Sequence, residues 1–408
     1  MEQKQAKRFS FSILLLIFIY AFVMNTPSLF MNDVIKDFNL QSYEQGSVSS
    51  MIGVGSLLSL FVMLVLQGRM KKWTMILASA AVQVVLMVVM GFVTEYWMLL
   101  IVYILLGIGM GWLDSASNSS IMDINRENGA KSMGALHGSF GIGAFVSPFI
   151  IQAFLGTMVW RHVYFIIAAI MALGILYFVI QTRRDGGHVT VASIDEPKLR
   201  WKEVTGYLKN RYNLFLIGGG IMYSATLACL SLWIVHYMTE SFEPATVLWM
   251  KLQPVEMGAA ALSIMWLFST ISRFFASRIR LRPLKLFVIG IASISVLQAL
   301  GVLLNDPLVL IVVFGAVGLL SGQCMPNLLN EVNQKYPGRT SLPTSVMMFM
   351  MCIARILMPL LVGYVMAVST EAMGMLLPAA SSLLGAVLSL IALRIDTKAT
   401  AVDASLSA

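Results

Sequence analysis

The stretch QTRRDGGHVTVASIDEPKLRWKEVTGYLKNRY, residues 181–212, is the longest polar run in the chain and lies near its middle. What surrounds it is overwhelmingly apolar. The 408 residues are 58% hydrophobic and 12% charged, with a mean hydropathy of +0.82. Soluble domains are about 45–50% apolar and about 25% charged, and a soluble core stops growing near roughly 250–300 residues. The surplus of apolar surface has to face lipid. The composition predicts a polytopic membrane protein and excludes disordered, secreted and ordinary soluble classes.

A membrane-spanning helix needs about 20 mostly apolar residues. Outward from the polar run, six candidate spans precede it and six follow: 10–31, 46–67, 74–94, 97–122, 130–155 and 161–181, then 213–239, 257–277, 285–304, 308–330, 341–368 and 372–394. The run from Ser10 is too long for a secretory h-region and no small-x-small cleavage site follows it, so it reads as a retained first span. The chain divides into a first half, 1–181, a linker, 182–212, and a second half, 213–408.

Charge sets the expected orientation. Of the 28 Lys and Arg residues, 23 fall on the side of the termini. Only Lys36, Arg161 and Lys251 fall on the opposite side, while Arg273 and Arg355 lie within spans. The positive-inside rule then places both termini in the cytoplasm, in a cell (inner) membrane. The formal charge of +8 needs no nucleic-acid partner. Membrane lipid, a small solute and protons are the expected partners, and the chain is expected to act as a monomer.

An internal repeat supports two halves. Gly-Ile-Gly-Ala-Phe-Val-Ser-Pro ends at Pro148 in span 5, and Cys-Ile-Ala-Arg-Ile-Leu-Met-Pro ends at Pro359 in span 11. The basic loop 68–72 after span 2 has its counterpart in 277–282 after span 8.

An ionisable group inside a span costs roughly 2.5–3.5 kcal/mol on insertion scales, so each one needs a reason. Asp114 lies in span 4, below Gly107 and Gly111 and above Asn118, at i, i+4, i+7 and i+11 on one helix face. Two readings are open: a protonatable carboxylate lining a solute pathway, or a structural carboxylate bonded to Asn118. His137, early in span 5, is either a proton relay near that acid or a packing histidine. Arg355, near the middle of span 11, needs an anion. Asp114, Glu331 at the end of span 10 and an acidic group on a solute are the candidates. Arg273, at the end of span 8, joins Arg69 and Lys72 as candidate gate residues at the cytoplasmic face. The basic loops there are expected to meet helix ends or anionic lipid.

Uncharged polar groups complete the candidate set. Gln323, Asn327 and Asn330 share a face of span 10, where amides serve either solute hydroxyls or helix–helix bonds. Tyr20 and Asn25 of span 1, Tyr223 of span 7 and Trp266 of span 8 are candidate lining residues. Cys229, Cys324 and Cys352 show no CxxC spacing, so no disulfide, metal site or cofactor is expected. The glycines of 107–111 follow no strand and read as helix-packing glycines. No HExxH motif, Ser/His/Asp set or catalytic acid pair is present, which argues against an intramembrane enzyme.

Gly111-Trp112-Leu113-Asp114-Ser115-Ala116-Ser117-Asn118 resembles the span-4 signature of the fucose permease-like branch of the major facilitator superfamily. The resemblance continues at 38–46, at Leu136-His137-Gly138-Ser139-Phe140-Gly141, at Met222-Tyr223, at Arg273-Phe274, at 318–326, and at Pro359 with Gly363. It implies an all-α fold of twelve transmembrane helices in two six-helix pseudo-repeats, and proton-coupled sugar symport by alternating access. It also implies that Asp114 is the family's proton-coupling, sugar-contacting carboxylate. The chain departs from the pattern in two places. Thr26-Pro27-Ser28 stands where relatives carry an acid, and Arg355 stands where small residues are usual. The second departure opens an alternative, transport of a small organic anion anchored by Arg355. A proton-driven exporter of amphiphilic or drug-like compounds is the other alternative.

Overall fold

The computed structural model describes residues 3–40, 42–66, 70–124, 129–154, 158–184, 201–247, 250–275, 281–335 and 341–406. Among these, twelve long helices take up the apolar runs. The first half has α1 (Gln3–Leu29), α3 (Ser42–Leu66), α4 (Lys72–Met90), α5 (Tyr96–Ile124), α6 (Gly129–Gln152) and α7 (Trp160–Arg184). The second has α9 (Arg211–Ser241), α10 (Pro254–Phe275), α11 (Pro283–Leu304), α12 (Pro307–Lys335), α13 (Ser341–Val368) and α14 (Glu371–Leu406). Two short helices, α2 (Met31–Asp37) and α8 (Trp201–Lys209), lie outside the long ones. Over the described residues eleven helices are long and apolar enough to cross a bilayer, and α3 adds the apolar segment Ser50–Ser59. The expectation of a twelve-span helical membrane protein holds.

Local sequence sets the turns. Between α11 and α12, Asn305 adopts the left-handed conformation at φ 49°, which asparagine tolerates better than most residues. The next residue, Asp306, accepts the Leu308 and Val309 N–H groups through Oδ1, both at 2.9 Å, and Pro307 opens the helix. Three residues thus cap two antiparallel helices. The segment between α9 and α10 falls between the predicted spans 213–239 and 257–277. The structure has an antiparallel hairpin there, β1 (Ala245–Val247) on β2 (Met250–Leu252), with Thr246 opposite Lys251.

Each half packs on itself, and the halves meet along two related pairs, α3 against α13 and α6 against α10. The pairs exchange under a six-span shift, as a pseudo-two-fold requires. Pro148 in α6 and Pro359 in α13 occupy matching helices, as the repeat predicted. Small residues allow the closest approaches. A Cβ on Gly107 would stand 2.3 Å from the Ile52 carbonyl oxygen of α3, so the glycines of 107–111 are packing glycines. A Cβ on Gly46 would stand 2.4 Å from the Pro359 carbonyl oxygen, across the seam between the halves.

α1 starts on the face that carries the termini and ends on the far face. At the far end α1 and α2 of the first half reach α9 of the second. Ser28 Oγ donates to the Ser231 and Leu232 carbonyls at 2.8 and 2.9 Å. His236 Nδ1 lies 2.6 Å from Asn32 Oδ1, and its Nε2 lies 3.4 Å from Glu371. These contacts close the far end of the seam.

Candidate substrate cavity

Asp114 and Arg355 are both exposed although each lies well inside a spanning helix, on α5 and α13 respectively. Their charges act on each other, and both act on Tyr20 of α1. Side chains from opposite halves that feel each other cannot both face lipid, so the surface they expose belongs to a cavity between the halves. Asn118, one turn below Asp114, donates through Nδ2 to the Asp114 backbone carbonyl at 2.8 Å and to its Oδ1 at 3.0 Å. The expected Asp114–Asn118 bond is present, and the carboxylate still faces the cavity. The Arg355 guanidinium is aimed by Ser224 of α9, whose Oγ accepts from Nε at 3.0 Å.

Glu331 was a candidate partner for Arg355, and the structure assigns it elsewhere. It is buried at the termini end, where its carboxylate accepts from Tyr212 Oη at 2.9 Å and from the Leu284 N–H at 3.3 Å. Arg282 bridges it to Asp396, and Asp396 also pairs with Lys335. This network ties α9, α11, α12 and α14 together. Arg282 was expected to meet helix ends or lipid. It meets two acids of its own half instead, because a buried carboxylate at a helix end needs a cation.

An aromatic chain crosses the seam. Tyr20 stands against Phe140 of α6 with ring centroids 5.8 Å apart, and Phe140 meets Trp266 of α10 edge to face at 5.4 Å. On α10, Trp266, Thr270 and Arg273 follow at i, i+4 and i+7, so they share a face. Thr270 abuts Gly141 of α6, where a Cβ would stand 1.7 Å from Thr270 Oγ1. One turn toward the termini, Arg273 acts on His137 of α6. His137 thus lies within reach of a guanidinium, a like charge to its protonated ring. Arg273 is half-buried, and its Nε has no hydrogen-bond partner among the described residues.

Other predicted lining residues are engaged within one half. Asn25 is buried, and its two Nδ2 hydrogens go to Ala144 O at 3.0 Å and Ser147 Oγ at 2.9 Å of α6, which leaves no donor for a solute. The buried Tyr223 hydroxyl donates to the Ser321 carbonyl at 2.8 Å. Asn327 is buried with Nδ2 unpartnered among the described residues, and Gln323 is half-buried beside it on α12. Asn330 is exposed and holds Gln334. Lys72 stands at the start of α4, and Arg69, Arg278 and Arg280 lie outside the described residues. Phe140 and Ser224 were not singled out as site residues. In an apolar helix a phenylalanine reads as core and a serine as helix glue, and only the packing shows otherwise.

The chain is similar over nearly its full length to solved transporters. A POT family transporter in complex with a thioalcohol-conjugated peptide aligns with a TM-score of 0.80 at 14% identity, covering 97% of this chain and 96% of the other. A nucleoside transporter, NupG, aligns with a TM-score of 0.77 at 13% identity, covering 95% and 99%. A bacterial homolog of the human lysosomal transporter Spinster, in an inward-facing, unoccupied conformation, aligns with a TM-score of 0.72 at 11% identity, covering 97% and 98%. No curated protein sequence matches the chain. The sequence model of the Major Facilitator Superfamily matches residues 13–359, and the chain belongs to that family of transporters.

Proposed function

We propose that this transporter is a secondary carrier that moves a small polar solute, a sugar or sugar derivative, together with a proton. One observation carries the reading. Asp114 and Arg355 are exposed side chains within spanning helices of opposite halves, and their charges act on each other. In the empty cavity the two lie beyond salt-bridge distance, and the Arg355 charge favours the ionised form of the Asp114 carboxylate. A solute group that takes up Arg355 deprives Asp114 of its counter-charge, and the carboxylate then binds a proton. Solute and proton so bind together, and both leave when the halves rock to the other side.

With both termini in the cytoplasm, as the Lys and Arg distribution supports, the closed far end is extracellular and the cavity belongs to an inward-facing state. Tyr20, Phe140 and Trp266 supply flat apolar surface of the kind a sugar ring stacks on, and Gln323, Asn327 and Asn118 supply amides for hydroxyls. His137 and Arg273 stand at the cytoplasmic mouth. The POT and nucleoside carriers share the fold at 13–14% identity, which supports transport and leaves the solute to the cavity's own chemistry.

The test is uptake of a labelled panel of sugars and sugar acids into proteoliposomes under an imposed pH gradient. Accumulation of at least one panel member, collapsed by a protonophore, is the expected result. Proton-driven efflux of amphiphilic dyes with no sugar accumulation would overturn it in favour of an exporter.

A further inference from the structure

The Asp114–Arg355 pair does not exhaust the charge in the cavity. Arg273 is a second guanidinium facing the seam from the same half as Arg355, and both act on Tyr223, which sits next to Ser224. Arg355 Nε lies 3.0 Å from Ser224 Oγ of α9, and α10, which carries Arg273, packs on α9 as α13 does. Neither guanidinium forms an ion pair with a carboxylate within salt-bridge distance among the described residues, and the Arg273 Nε is buried without a hydrogen-bond partner. A guanidinium cannot shed its proton to escape this situation. A guanidinium inside a spanning segment with no carboxylate at salt-bridge distance is costly to retain even where it faces a cavity, so an anion that arrives only at times is the explanation that fits.

Counting charge through the cycle fixes how many negative charges that anion brings. The empty cavity holds two guanidiniums and one carboxylate, a net charge of +1. If the solute takes up Arg355 and Asp114 takes a proton, two unbalanced cations remain. A monoanion would leave +1, whereas a dianion leaves the loaded cavity neutral, which is the state that crosses a low-dielectric barrier at least cost. We infer that the carried solute is a small organic dianion, an acidic sugar derivative whose two negative charges are taken by Arg355 and Arg273. This rests on the proton-coupled reading above for the count of two. The requirement for both arginines follows from their placement alone. A phosphate ester and a dicarboxylate share this chemistry, and the probes below separate them.

The experiment is thermal stabilisation of the full-length purified protein in lipid nanodiscs by glucose, glucuronate, glucarate and glucose phosphate. It uses the natural chain and the variants Arg355→Gln, Arg273→Gln and Arg273→Lys. The expected order is stabilisation by glucarate or glucose phosphate, less by glucuronate and none by glucose. Each Gln variant is expected to weaken the dianion about tenfold or more, the scale of one lost charge-assisted contact. Arg273→Lys should recover part of the loss. Equal stabilisation by glucose, no stabilisation by either dianion, or an Arg273→Gln variant that binds the dianion as tightly as the natural chain would overturn the inference. Dianion binding that needs both arginines, with uptake indifferent to a pH gradient, would refute the coupling reading and leave the two-arginine site standing. Glucose uptake driven by a pH gradient, unchanged in Arg273→Gln, would do the reverse.

Discussion

Arg355 and Asp114 were legible in the sequence for an energetic reason. An ionisable side chain in an apolar helix is too costly to be incidental. Asn25 and Tyr223 were legible as polar groups but not by role, because the rotation of a helix decides whether an amide meets a neighbour or a cavity. The structure gives Asn25 to α6 and Tyr223 to the Ser321 carbonyl. Phe140 shows the converse, since nothing in its local sequence separates it from core. Its ring links Tyr20 to Trp266 across the seam. Such aromatic pairs contribute about 0.5–1.5 kcal/mol beyond buried area. Phe140→Ala should therefore raise the transport KM several-fold with a smaller change in maximal rate, measured by initial-rate uptake. An unchanged KM would remove the aromatic chain from the solute site.

At the scale of elements, the helices followed from apolar run length, and their ends did not. α14 was expected to stop at 394 and runs to Leu406, because its polar tail contains neither proline nor glycine to end it. Two elements make sharp predictions. Gly46 lets α3 lie against α13 at the seam, and a methyl there meets backbone. Overpacking of this kind costs about 1–3 kcal/mol. Gly46→Ala should cut transport strongly while the protein still purifies folded, and transport at the natural rate would contradict the close seam. At the termini end Glu331 accepts from Tyr212, Leu284 and Arg282. Glu331→Gln removes the charge that holds Arg282. Because Arg282 is partly exposed, the loss should be roughly 1–3 kcal/mol, below that for a fully buried pair. A lowered midpoint in thermal unfolding reads it, and an unshifted midpoint would show that the network is not holding the helix ends.

At the scale of the molecule, the polar run 181–212 and the matching prolines made two halves legible, since a repeat leaves its mark in spacing even where identity is weak. Which end of the seam is closed was not legible, because closure depends on contacts such as Ser28 with Ser231 that no periodicity encodes. A disulfide between Ser28→Cys and Ser231→Cys, in a background with the three native cysteines replaced, should lock the far end shut. Transport should stop on oxidation and return on reduction. Transport that continues through the cross-link would mean that the halves do not part there. The central claim is that Asp114 couples the solute to the proton. The most direct measurement compares two modes in the same Asp114→Asn proteoliposomes: accumulation driven by a pH gradient, and solute exchange with no gradient. The account predicts that accumulation is lost and exchange is kept; accumulation at the natural rate would contradict it.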